Sequence, residues 1–310
     1  MFLDRIKSKD SGILLYGITP PKDQTEPERV IEIAEKTLER LHLLDIDALV
    51  VYDVQDESAR TDEERPFPFL KALDPFEFAK EHLQSLNIPK IIYRPAGKFT
   101  KQELDVWVNE LVLHGFFPVF VGVPAPDFVP ITTLNEAYEI WRKYNEISAV
   151  GAVTIPERHA VLNDEQDRML DKMSNGVSYF ISQCIFNVDY AKRVIDDLEI
   201  ACASLGQDFP TVIFTLTACG SKKTLRFMEW LGIHIPETLK EELMASENIL
   251  NRSVEICMEI ADELIKYCSE KNIPFGFNIE SVAIRKEEIE ASILMTNQIG
   301  AKLKELGIRK

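Results

Sequence analysis

Eight short runs of β-branched and aromatic residues, separated by longer stretches of helical periodicity, constrain this chain more than any other feature. The runs are Ile13 to Ile18, Ala48 to Val54, Lys90 to Arg94, Pro118 to Val123, Ala149 to Ile155, Tyr179 to Phe186, Thr211 to Leu216 and Phe275 to Glu280. Each is nearly continuous in apolar residues, as expected of strands covered on both faces in a parallel sheet. The first helical stretch, Glu28 to Leu44, puts Val30, Ile33, Ala34, Leu38 and Leu41 on one stripe at spacings of three and four. Similar stretches span Pro75 to Leu86, Thr100 to His114 with Thr100 as N-cap, Thr132 to Tyr144, Asn163 to Met173, Val188 to Leu205, Ser221 to Leu231 and Lys286 to Leu306. Eight strand–helix units in 310 residues predict an α/β fold, a closed (β/α)8 TIM barrel forming one domain over residues 1–310. An open doubly wound sheet is the alternative. It is weakened because no G-x-G-x-x-G or G-x-x-x-x-G-K-[ST] follows any run. The region Ser221 to Lys271 is too long for one crossover helix and is broken at Ile235-Pro236, which predicts extra helices between strands seven and eight.

Charge and cysteine content narrow the function classes. With 35 basic and 51 acidic residues the chain carries a formal charge of -16, which repels phosphate backbones and argues against a nucleic-acid partner. Five cysteines without a close C-x-x-C pair read as reduced core thiols. The polar start MFLDRIKSKDSG lacks the pattern of a signal or transit peptide, and no apolar run approaches the roughly 20 residues that span a bilayer, so the expectation is a cytoplasmic protein without a membrane partner. No His, Cys and carboxylate group has metal-ligand spacing, so no metal is expected.

In a barrel, chemistry belongs at the C-terminal ends of the strands and in the loops after them. The long segments Ala59 to Leu73 and Ala125 to Thr132 follow strands two and four and read as such loops. Polar residues at strand ends are Thr19; Asp53, Glu57, Arg60 and Thr61; Arg94; Glu157, Arg158 and His159; Gln183; Thr215, Thr217, Ser221 and Lys222; and Asn278 and Glu280.

Several of these lie in motifs. YGITPP at 16–21, GAVTIPERH at 151–159, YFISQCIFN at 179–187 and TVIFTLTACGSKKTLRFMEWLGIHIPETL at 211–239 resemble the methylenetetrahydrofolate reductase family in order and spacing, from about residue 12 to residue 300. The resemblance implies a (β/α)8 barrel of one-carbon metabolism that reduces 5,10-methylenetetrahydrofolate to 5-methyltetrahydrofolate, usually by hydride from NAD(P)H through FAD. It implies that Gln183 hydrogen-bonds substrate; Thr19 and Asn278, from their places at strand ends, are the further substrate contacts expected. On the cofactor side it implies His159 and Lys172, and Arg60 and Thr61 in a run resembling E-R-x-R-T.

Departures from the family pattern are as informative. Where the family carries an acidic Glu in strand one, this chain has Gly17; its R-G-D after strand four is replaced around Val121 to Pro124; its H-L-T after strand three becomes Tyr93, Arg94 and Pro95. The expectation is therefore a protein that purifies without FAD and passes hydride directly from NAD(P)H. Glu280 is the expected replacement acid, because closure of a barrel sets strand eight beside strand one, with Phe275, Phe277 and Tyr16 shielding it. The alternatives are a diverged folate-binding or partner-binding barrel, or a member of a methyl-transfer complex. A homo-oligomer and an electron-supplying protein partner both stay open.

Overall fold

The computed structural model describes residues 2–58, 61–122, 128–144 and 147–310. Eight parallel strands close into a barrel in chain order: β1 (Ile13–Ile18), β2 (Ala48–Val51), β3 (Lys90–Pro95), β4 (Phe117–Val121), β5 (Val150–Thr154), β6 (Val177–Cys184), β7 (Thr211–Thr217) and β8 (Phe275–Glu280). The open-sheet alternative is excluded by the β1–β8 pairing, which runs from Ile13 opposite Gly276 to Gly17 opposite Glu280.

Period-two alternation sorts the strand residues between two cores. Ile13, Leu15, Ala48, Val50, Ile91, Val119, Tyr179, Ile181 and Ile213 fill the barrel interior. Leu14, Tyr16, Leu49, Phe214, Phe275, Phe277 and Ile279 face the helix layer. That layer comprises α2 (Pro27–Leu41), α3 (Pro75–His82), α4 (Lys101–Leu113), α5 (Leu134–Trp141), α6 (Pro156–Leu162), α7 (Glu165–Ser174), α8 (Val188–Leu205), α9 (Lys222–Trp230), α10 (Glu237–Ala245), α11 (Ile249–Lys271) and α12 (Lys286–Glu305). Thr100 and Thr133 each close a capping box, with Glu103 and Glu136 returning to the cap N–H. The extra helices expected between β7 and β8 are α10 and α11, and Pro236 caps the first of them.

Two elements differ from the sequence expectation. The stretch after β5 is two helices, α6 and α7, because Asn163 adopts the left-handed conformation (φ 55°) and ends the first. The polar-looking start forms α1 (Phe2–Lys7), whose Phe2 ring meets Phe117 and Tyr179 edge-on at 5.3 and 5.5 Å and stoppers the N-terminal end of the barrel. All five cysteines are free and buried. Among the described residues no helix is long and apolar enough to cross a membrane, and no group of three or more His, Cys, Asp or Glu side chains has metal-binding geometry.

Candidate functional site

The C-terminal mouth holds one tight polar cluster. Register places Glu280 between Gly17 of β1 and Thr217 of β7, on the same inward face as Asn278, which pairs across to Leu15 and Thr215. Asn278 is fully buried and donates from Nδ2 to the Tyr52 hydroxyl at 2.7 Å and to Thr215 Oγ1 at 3.2 Å. The Cys184 thiol donates to Glu280 Oε1 at 3.2 Å, and the Tyr52 ring and Glu280 both stand against Gly17. Burial pushes the Glu280 carboxyl above its usual range; the Tyr52 and Cys184 donors oppose that without cancelling it. Burial and the neighbouring Glu280 push Tyr52 and Cys184 well above their ordinary values, so both keep their protons at neutral pH and serve as donors.

The expected shield is corrected. Phe275, Phe277 and Tyr16 point into the helix layer, as alternation on strands demands, and Tyr16 bonds Ser292 of α12. The aromatic wall beside Glu280 is Tyr52, packed edge-on against Tyr93 at 4.8 Å. Gly17 makes room for it: a Cβ there would lie 2.7 Å from Tyr52 Cε2 and 3.2 Å from Glu280 Cβ. Tyr52 was legible in principle, since it continues the inward parity of Ala48 and Val50. Cys184 was not, because a register shift between Ile181 and Cys184 breaks the alternation that would have placed it.

Over β4 and β5 lies a cavity of about 930 Å³ lined by Gln55, Thr133, Tyr138, Arg158, Asp171 and Lys172 among others. That is large enough for an extended ligand. Lys172 donates to the Val153 carbonyl at 2.7 Å, and burial lowers its ammonium to about 8.

The other expected contacts are distributed differently. His159 is fully buried and turns outward to Asp197 of α8, with Nε2 2.9 Å from Oδ2, so it ties two helices together and is absent from the cavity lining. Gln183 donates to the Leu231 carbonyl at 2.9 Å, past the end of α9. Thr61 accepts the Glu63 N–H at 3.2 Å within its own loop, Thr19 is exposed beyond β1, and Arg60 lies outside the described residues. Arg94 points out of the barrel, paired at 2.7 Å with Asp74, the N-cap of α3, and stacked on Trp107.

In the cavity lining Arg158 is paired with Glu165 at 3.0 Å and Arg168 with Asp164 at 3.1 Å, and Asp167 and Asp171 lie beside them.

Comparison with known proteins accords with the motifs. The family model for methylenetetrahydrofolate reductase matches residues 133–298, more than half of the chain. The chain belongs to the methylenetetrahydrofolate reductase family. Another barrel, at 42% identity and TM-score 0.86, is an uncharacterized Clostridium thermocellum protein that binds two copies of 5-methyl-5,6,7,8-tetrahydrofolic acid; the match covers 97% of this chain and 100% of that one. A Xanthomonas albilineans dihydropteroate synthase matches at 11% identity and TM-score 0.48, over 96% and 94% of the two chains. No curated protein matches. Within the methylenetetrahydrofolate reductase family this chain is a divergent member, with Gly17 at the place of the strand-one Glu and Glu280 directly across from it.

Proposed function

We propose that this protein binds reduced folate at the barrel mouth and reduces 5,10-methylenetetrahydrofolate to 5-methyltetrahydrofolate with NAD(P)H and without flavin. The observation that carries the reading is Glu280, a carboxyl that burial keeps protonated above its usual range, set opposite the strand position from which the family acid has been lost. Family membership and the folate bound by the Clostridium thermocellum protein support the substrate class.

NAD(P)H supplies the hydride that converts the bridging carbon to a methyl group. The residues that would hold it line the cavity over β4 and β5, where Arg158, Arg168 and Lys172 would supply positive charge for its phosphates. The chain's own contribution is the proton: opening the five-membered ring breaks a carbon–nitrogen bond, and Glu280 donates to the departing nitrogen, then regains a proton from water. Tyr93 and Tyr52 limit water around the carboxyl, which favours its neutral form.

A second reading, a folate-binding barrel without turnover, draws support from Gly17, which leaves strand one without the family acid. Oxidation of NADH and NADPH with methylenetetrahydrofolate, followed by absorbance, separates the two. Under the reductase reading Glu280→Gln retains folate binding in titration calorimetry and loses about 100-fold in turnover. Full turnover in that variant removes Glu280 as the acid. Folate binding without turnover in the native protein selects the second reading.

A further inference from the structure

The cavity over β4 and β5 carries its charge unevenly. Part of its lining is apolar, from Phe120, Val121, Leu134 and Val153. The Tyr138 hydroxyl on the same lining is fully buried and has no hydrogen-bond partner among the described residues, which marks the cavity as a place for a ligand with polar groups of its own. Most of the charge comes from α7 and its N-cap, where Asp164, Asp167, Arg168, Asp171 and Lys172 recur at spacings of three and four. Arg168 is paired with Asp164 at 3.1 Å, and Arg158 of α6 with Glu165 at 3.0 Å. Asp167 and Asp171 are exposed and have no cation within ion-pair distance among the described residues. The start of α5 on the same lining is already satisfied. Thr133 gives its N–H at 2.8 Å and its hydroxyl at 2.9 Å to Glu136, whose carboxylate neutralises the positive end of the helix, and the Thr132 hydroxyl donates to the Phe99 carbonyl at 2.7 Å. Lys98, next to the lining residue Gly97, is engaged by Gln55.

We propose that this cavity selects NADH over NADPH, with Asp167 and Asp171 as the residues that exclude the extra phosphate. The proposal rests on the reductase reading, which puts the dinucleotide here. Both forms carry the pyrophosphate, and Arg158, Arg168 and Lys172 serve it in either case. NADPH adds a phosphate at the 2′ position of the adenosine ribose, with a charge of about −1.5 to −2 at neutral pH. With the three cations turned to the pyrophosphate, the charged side chains that remain on the described lining are carboxylates, Asp167 and Asp171 foremost. A carboxylate accepts a hydrogen bond from the ribose hydroxyl of NADH and repels the phosphate that replaces it. Because both carboxylates are exposed, added salt screens that repulsion.

The test reads binding and needs no turnover. The full chain, without folate, is titrated with NADH and with NADPH and followed by the fluorescence of the reduced nicotinamide. NADH should bind about tenfold more tightly at low ionic strength, and the ratio should shrink as salt is raised to about 0.5 M. The double variant Asp167→Asn, Asp171→Asn keeps an acceptor at each position and removes the charge, so the ratio should move toward one even at low salt. Both side chains are exposed, so the substitutions leave the core of the barrel untouched. NADPH bound as tightly as NADH at low salt, or a ratio that the double variant does not change, overturns the proposal and leaves the reductase reading standing. Protein that binds folate but neither dinucleotide overturns the reductase reading, and the preference falls with it, so the two failures are told apart.

Discussion

At the scale of single residues, the mouth shows how one missing side chain reorganises a site. Adding a methyl group at position 17 drives it against a Tyr52 ring that cannot swing away without giving up its bond from Asn278. Gly17→Ala should therefore cost about 1–3 kcal/mol in chemical denaturation, as overpacking does, and most of that cost should vanish in the Tyr52→Ala background. Additive losses would show that the two positions do not compete for space. Gln183 makes the opposite point. The family pattern marks it as a substrate contact, and its donation to Leu231 makes Gln183→Leu a stability change of ~1 kcal/mol with folate affinity retained by calorimetry. Glu157 adds a pH dependence. Burial pushes its carboxyl from the ordinary 4.5 up to about 7, against the N–H groups of its own residue and of His234. Between those two values the folded chain binds the proton that the unfolded chain has released, so stability is fully present at the acid side and falls as pH rises toward 7. Glu157→Gln should flatten that fall, by ~1–2 kcal/mol after allowing for partial exposure, when denaturation at pH about 5 and about 8 is compared.

At the scale of elements, what was legible followed from how local each determinant is. The alternation of runs and helices, the Thr100 cap and the inserted helices all rest on neighbours in sequence, and all are present. The α6–α7 division hung on one left-handed Asn163, and α1 on burial of Phe2 against residues more than a hundred positions away, which no local pattern encodes. The candidate site divided in the same way. Glu280 and Asn278 followed from parity and closure, whereas His159 lies on a helix whose facing depends on packing against α8. The loop after β2 is a further case, for its charged residues read as solvated. Arg65 instead inserts among Phe69, Phe227 and Trp230 at 5.0–5.5 Å, and the Trp230 indole N–H donates to the Glu63 carbonyl at 3.0 Å, so the loop is strapped to α9. Arg65→Ala should loosen it, seen as faster proteolysis at residues 61–73 while the melting temperature moves little, since a cation–π set near the surface contributes about 0.5–1 kcal/mol per contact. Unchanged cleavage would mean that the Trp230 and Phe67 contacts hold the strap without Arg65.

At the scale of the whole molecule, the chain's two ends meet at the face opposite the mouth, and there one carboxylate closes the structure. Asp47, just before β2, accepts from Arg5 of the N-terminal helix at 2.8 Å, from Arg309 beyond the C-terminal helix, and from the Leu14 N–H of β1 at 2.8 Å. Arg309 also donates to the Gly12 carbonyl at 3.2 Å and the Asp45 carbonyl at 2.9 Å, and its side chain is only 5% exposed. Surface ion pairs contribute little, but here the partners are largely withdrawn from water, and removing the anion takes a close carboxylate from two guanidinium groups and the acceptor from a backbone N–H at once. Asp47→Ala should thus cost about 3–5 kcal/mol in denaturation, the scale of breaking a buried pair. Because Asp47 joins β1, β2 and both terminal elements of a closed barrel, the loss belongs to the whole cooperative unit, so circular dichroism and tryptophan fluorescence should shift together to lower denaturant. Trp107, Trp141 and Trp230 all lie in the helix layer, far in sequence from residue 47. A fluorescence transition that stays in place while the circular dichroism moves would show that the ends fray independently and that the barrel does not depend on this closure.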